Sequence, residues 1–280
     1  MLLKLGSAGD AVKTLQRGLN ELGAILLVDG DFGPGTRDAV ADARIVLQQP
    51  GPPEADDALQ TALAAAPDLF PPLTAAGVTF IGREEVSSAR QYRQVHARSE
   101  WPGLQSGITI GIGYDLKFVS APELKADWGD RLPAATLERL AAVTQKTGSH
   151  ELAAQFEDVR IPLFDAITVF ARRSLPRALA EARSIYPQID DLPSPRRSAL
   201  ASLVYNRGAA LKDEPGDQQE RRREMRAIQA LLAAGTADVV ADQFDAMARL
   251  WDAKTAGGLI ARRHREATLW RSGFAALQLD

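Results

Sequence analysis

The sequence predicts a mainly α protein in two parts: three short helices, then a larger α+β part whose β content is one small element. Three observations predict this. Apolar residues in the first 66 positions recur at helical spacing between Gly-rich turns. Three prolines crowd into PDLFPPL at 67–73 and block a continuous helix. Beyond them nearly every apolar pattern is helical, and SGITIGIGYDL at 106–116 is almost the only strand-like run. The expected division is therefore 1–68 and 73–280.

Each element follows in order. DAVKTLQRGLNELG sets Val12, Leu15, Leu19 and Leu22 on one helical face, with Asp10 as the expected N-cap and Gly23 able to close the helix. Asp29-Gly30 and Gly33-Pro34-Gly35 are turn formers. Thr36 is then the expected N-cap of a second helix that carries Ala39, Val40, Ala43 and Leu47 inward. PGPPEADDALQTALAAA supplies another turn and a third short helix. After the prolines, TAAGVTFIGREEV reads as a helix leading to the Gly-rich stretch. Residues 121–280 read as successive helices, such as PRRSALASLVYNRG with Leu200, Leu203 and Val204 on one face. VVADQFDAMARLW carries Val240, Phe244, Met247 and Trp251, and ERRREMR at 220–226 reads as a solvated helix face.

Composition narrows the function classes. With 280 residues, 45% apolar and 25% charged, the chain can bury a sizeable core. A net charge of −3 gives no general attraction to nucleic acid. The absence of cysteine excludes disulfides and thiolate–metal sites, and His96, His150 and His264 show no metal-ligand spacing. There is no run of about 18 apolar residues, so no membrane span is expected. The start, MLLKLGSAGDAVKTLQ, lacks the features of a signal peptide. Synthesis in the cytoplasm is expected, with any outside target reached through a separate release step.

Two resemblances give these patterns a meaning. L-x-x-G-x-x-G-x-x-V-x-x-L-Q (Leu3, Gly6, Gly9, Val12, Leu15, Gln16) followed by DGDFGPGTRDAV (Asp29, Gly30, Phe32, Gly33, Thr36, Ala39, Val40) resembles the peptidoglycan-binding module of three short helices. Leu47-Gln48 depart from it, where an aromatic residue followed by Gln is common. Within that module Gln16, Asp29, Phe32 and Thr36 read as helix contact, turn, core plug and cap. Further on come EVSS (85–88), WPG (101–103), SGITIGIGYDL, ADWG (126–129), SLVYNRG (202–208), EMR (224–226) and GLIARRHREATLW (258–270). In that order they resemble the phage-type lysozymes, most closely the pesticin-like branch, over about residues 75–275.

Glycosidic hydrolysis needs a proton donor on the leaving oxygen and a second group for the water or the cation. The donor stays protonated near neutral pH when it is partly buried. On a helix ending near 85, Val78, Ile81 and Glu85 share a face, so that carboxyl emerges at the edge of an apolar surface. Glu84 also follows Ile81 at helical spacing, and periodicity alone leaves both open. The resemblance assigns the acid to Glu85, just before Val86-Ser87-Ser88, and assigns Thr109 to holding the attacking water. Common phage lysozymes carry the second carboxylate a few residues before that threonine, where this chain has Gly103 and Leu104. The pesticin-like branch carries it after the Gly-x-Gly turn, at Asp115 here, and shares the longer loop between Glu85 and Thr109. Glu100 is the competing second carboxylate. As plain structure the same residues are a helix-end Glu, a β-branched strand residue and a turn carboxylate.

Trp101 stacks on a sugar or packs, and Tyr114 lines either the cleft or the core. Asn206 and Arg207 end an apolar helix, with Gly208 at the left-handed cap position. The resemblance puts this pair near the cleft floor, where the Asn bonds an acetamido group. Arg262, Arg263 and Glu266 read as a structural ion-pair network. The resemblances imply a monomeric muramidase that acts on bacterial peptidoglycan without metal or cofactor. Its expected reaction is cleavage of the β-1,4 bond between N-acetylmuramic acid and N-acetylglucosamine. An endolysin-like role implies release by a holin or a secretion system. Two other readings stay open: an inactive wall-binding protein, and a lytic transglycosylase, which needs only one carboxyl group.

Overall fold

The computed structural model describes residues 1–66 and 70–279. Position 68, where the first part was expected to end, lies outside the described residues with the rest of Pro67–Leu69. The chain forms two compact units: Met1–Pro71 with Gly82–Ser174, and Pro72–Ile81 with Leu175–Asp280. The first 66 residues thus share a unit with the Gly-rich stretch, whereas the expected division set them apart.

The first unit opens with α1 (Asp10–Glu21), α2 (Pro34–Val46) and α3 (Asp57–Ala64). Val12, Leu19, Phe32, Ala39, Val40, Ala43 and Leu59 are fully buried in their common core. Both expected N-caps move. Gly9, at φ 104°, precedes α1, so Asp10 is its first helical residue. Gly33 precedes α2, because Pro34 already has the φ of a first helical turn and lacks only an N–H that would go unpaired. Thr36 is consequently inside the helix and buried. Gln16, also buried, ties the turn to α1. Its Nε2 donates to Asp29 Oδ1 (2.7 Å), the Asp31 carbonyl (3.1 Å) and Thr36 Oγ1 (3.2 Å), while its Oε1 accepts from the Gly30 N–H (2.9 Å).

The same unit continues with the last residues of α4 (Ala75–Val86), β1 (Thr109–Ile110), β2 (Tyr114–Asp115), α5 (Ala121–Trp128), α6 (Ala134–Ala141) and α7 (Leu163–Val169). α7 joins the N-terminal core directly. Phe164 belongs to the hydrophobic cluster of Leu19, Leu22 and Leu26. Ile167 fills the space beside Gly23, where an added Cβ would lie 2.6 Å from Ile167 Cγ2. Arg83 Nη1 donates to the Ile25 carbonyl (3.0 Å), and Arg93 pairs with Asp42 and Asp38.

The second unit is built on α8 (Leu175–Ile185), α9 (Ser194–Arg207), α10 (Arg223–Ala233), α11 (Val240–Ala246) and α12 (Ala253–Ser272). Leu179, Leu200, Leu203, Ile228, Phe244 and Leu269 form its apolar interior. Glu266 is fully buried and accepts from Ser202 Oγ (2.6 Å), Arg263 Nη2 (3.0 Å) and Arg262 Nε (3.4 Å), the expected network. ERRREMR is not a solvated face throughout. Glu224 and Met225 are buried, because Arg249 Nε (2.6 Å) and Arg223 neutralise the carboxylate. Helices dominate, and β1–β2 is the only sheet among the described residues.

Candidate active site

The Gly-rich stretch folds into a tight antiparallel hairpin that pairs Thr109 with Asp115 and Ile110 with Tyr114. Gly111 and Gly113 take φ +59° and +65°, a region costly for residues with a Cβ. Gly111 also sits against α5 and α7: an added Cβ would lie 3.1 Å from Trp128 Cη2 and 3.4 Å from Ala166 Cβ. A third extended segment joins the hairpin at Glu100. Its N–H donates to the Thr109 carbonyl (3.0 Å), and the Thr109 N–H donates back (2.8 Å).

These bonds fix where the side chains go. Glu100 and Thr109 are a hydrogen-bonded pair, so both main-chain groups of Thr109 face Glu100. Thr109 and Asp115 are therefore the other kind of pair, in which side chains approach most closely. The flanking bond from the Leu116 N–H to the Ile108 carbonyl (2.9 Å) agrees. Directly opposed residues share a face, so Glu100, Thr109 and Asp115 leave the element in one row.

Two atoms in that row are available for chemistry. Thr109 is only 7% exposed, and its Oγ1 is buried with no hydrogen-bond partner. Leaving a buried hydroxyl unpaired costs about 1–3 kcal/mol, which a water or ligand atom would relieve. Asp115 is partly buried and takes its protein hydrogen bonds on Oδ1, from the Gly107 and Lys117 N–H groups (2.9 Å each). Those bonds aim the carboxylate and leave Oδ2 for another partner. Gly107 is required there, since a Cβ would lie 2.7 Å from Asp115 Oδ1. A hydroxyl and a carboxylate oxygen on one face of a hairpin are groups that can hold a water and accept its proton.

The other expected site residues fall in different places. Glu85 lies in the last turn of α4, which Ser87 ends at φ +62° while Ser88 caps the next turn. Glu84 and Glu85 are both partly buried. Tyr114 goes to the core: it packs edge-on against Trp128 (5.6 Å) and its hydroxyl donates to Asp127 Oδ2 (2.7 Å). Burial, then the Asp127 carboxylate, push that hydroxyl's pKa up, so it remains a donor. Trp101 is half-buried, with Nε1 donating to the Ser106 carbonyl (3.1 Å) and His150 edge-on at 4.9 Å. Asn206 and Arg207 end α9 in the second unit, before Gly208 at φ +70°. Sequence reasoning missed Gly107 and Lys117, which aim Asp115, and His96, which stands 3.7 Å from Glu100. The Gly just before Ile108-Thr109 was the available signal for Gly107.

Residues 8–43 match the family described as a peptidoglycan binding domain. The N-terminal part is a peptidoglycan-binding domain. The match spans α1, the turn gripped by Gln16 and most of α2. In this peptidoglycan-binding domain, Gln16, Asp29, Phe32 and Thr36 hold structure: the Gln, the Asp and the Thr form the hydrogen-bonded turn, and Phe32 is fully buried. No curated protein matches the chain. Among the described residues no group of three or more His, Asp or Glu could hold a metal, and no helix is long and apolar enough to cross a membrane.

Proposed function

We propose that this chain is a peptidoglycan hydrolase that cleaves the β-1,4 bond between N-acetylmuramic acid and N-acetylglucosamine. The observation that carries the reading is the facing pair Thr109–Asp115, with an unpartnered buried hydroxyl beside a carboxylate aimed through one oxygen only. The peptidoglycan-binding domain supplies the substrate class. In the proposed reaction Glu85 gives its proton to the leaving glycosidic oxygen. Thr109 holds the water, Asp115 takes its proton, and the water oxygen bonds to the anomeric carbon as the glycosidic bond breaks.

Mass spectrometry of sacculi digested with the protein tests this. Muropeptides that end in reducing N-acetylmuramic acid are expected. Anhydro-muramic products would instead identify a lytic transglycosylase. Intact sacculi at every pH would leave a wall-binding protein.

A further inference from the structure

We propose that a cavity at the C-terminal end of α9, in the second unit, is a carboxylate site, and that its ligand on peptidoglycan is a free carboxylate of the peptide stem. The cavity measures about 420 Å3 and is lined by Arg207, Lys212, Arg221, Arg222 and Trp251 among others. Its centre is Arg207, whose guanidinium lies 5.3 Å over the Trp251 ring. Nη2 donates to the Arg221 carbonyl, but among the described residues the buried Nε has no partner and Nη1 makes no hydrogen bond. Among the described residues no carboxylate pairs with Arg207. The fully or nearly buried Arg44 and Arg263, by contrast, pair with Asp56 and Glu266.

Arg207 is half-buried, and even partial withdrawal of a charge from water without an ion-pair partner is costly. Here the neighbours add to the cost. Burial first, then Arg222 and Arg263, bring the Arg207 pKa down to about 10 against the opposing pull of the Glu224 carboxylate, which still leaves it charged at neutral pH. The acidic residues at the rim are mostly committed elsewhere. Asp213 accepts from the Arg222 N–H and from Arg226 Nη1 (2.6 Å each). Asp217 accepts from the Gln219 and Arg221 N–H groups, and only Glu214 adds an uncommitted negative charge. Exposed Lys212 supplies a further cation. A carboxylate can accept a charge-assisted hydrogen bond from Nη1, and the indole face sets the plane of the guanidinium. Peptide stems bring such carboxylates to any protein that holds peptidoglycan. The assignment rests on the proposed peptidoglycan substrate, though not on hydrolysis.

Calorimetric titration of the full chain with a synthetic stem pentapeptide (L-Ala, γ-linked D-Glu, L-Lys, D-Ala, D-Ala) tests the site. Three ligands are compared: the free acid, the fully amidated peptide and inorganic phosphate. Amidation should weaken binding about tenfold or more, the scale of one charge-assisted contact. Arg207→Gln should weaken the free acid similarly and leave the amidated peptide unchanged. Lys212→Gln, at an exposed position that does not threaten folding, should weaken the free acid to a lesser degree. Equal binding of acid and amide overturns the proposal. So does undiminished binding by both variants, which would put the peptide elsewhere, the peptidoglycan-binding domain included. Phosphate that binds as tightly as the peptide overturns the stem assignment. Peptide binding without cleavage of sacculi would remove the hydrolase reading and leave this one standing.

Discussion

Thr109 and Asp115 face each other as a non-hydrogen-bonded pair, and among the described residues the groups that aim Asp115 are two main-chain N–H groups, those of Gly107 and Lys117. This separates the fold of the hairpin from the chemistry of the carboxylate. Asp115→Asn keeps an oxygen for both N–H groups, so circular dichroism and melting should change little. Release of soluble muropeptides should fall by orders of magnitude, because an amide cannot take the proton of water. If Asp115→Asn retains its rate and Glu100→Gln loses it, the neighbouring carboxylate on the same face is the one that works.

Gly107→Ala tests the aiming itself. The new Cβ would sit 2.7 Å from Asp115 Oδ1 and 2.8 Å from Lys117 Cβ, so the carboxylate must move. Overpacking of this kind costs about 1–3 kcal/mol. Turnover should drop further than stability does, as a comparison of muropeptide release with the thermal midpoint would show. A normal rate would mean that the direction of Asp115 is immaterial.

Glu85→Gln should abolish hydrolysis, while Glu84→Gln should be mild. General acid catalysis contributes roughly a hundred- to ten-thousand-fold, which sets the expected loss. Kinetics on purified sacculi decide it, and the opposite ranking would move the proton donor by one residue along α4.

Glu123 gives a prediction in pH. It closes the capping box of α5, accepting from the Ser120 N–H and hydroxyl (2.8 Å each) and from Arg173 Nη2 (2.8 Å). The Ser120 N–H first, then its hydroxyl and Arg173, hold the Glu123 pKa down to about 2 from its ordinary 4.5. A depressed folded-state pKa means that the contribution is complete above about 4.5 and is lost as pH falls through about 2. A carbon-detected NMR titration should place the midpoint there, and Ser120→Ala should raise it. A midpoint near 4.5 in the native protein would show that the box does not hold in solution.

Removing residues 1–66 should destabilise what remains. The deletion uncovers Phe164 and Ile167 and takes away the Ile25 carbonyl that Arg83 reaches. Full burial of each such side chain contributes about 1.5–3 kcal/mol. Calorimetry should find the truncated chain melting well below the full one. An unchanged melting temperature would mean that the two parts fold independently, as the proline-rich stretch suggested.

What the sequence made legible was local. Val12, Leu15 and Leu19 are inside because their spacing is helical, and Thr109 meets Asp115 because a three-residue Gly-Ile-Gly loop leaves few other registers. Features that depend on distant chain segments were hidden. Nothing in WPG or EW predicted that Glu100 would bond to Thr109, since that pairing needs a segment nine residues away to return alongside. Phe164 looked like an ordinary residue of a later helix, yet it completes the N-terminal core. Glu224 looked solvated within a basic run until Arg249, distant in sequence, supplied its counter-charge.

One helix touches both the peptidoglycan-binding domain and the Gly-rich hairpin. α7 puts Phe164 into the core of the peptidoglycan-binding domain and Ala166 against Gly111, in the loop between Thr109 and Asp115. A wall anchor on a slack leash lets its partner graze over many bonds, at a local concentration set by the length of the leash. An anchor bolted through a shared helix behaves as a ruler instead. Under the proposed hydrolase reading, the hairpin comes to rest at one offset from wherever the domain grips a glycan, so the spacing of cuts along a strand would carry the imprint of a single fixed length.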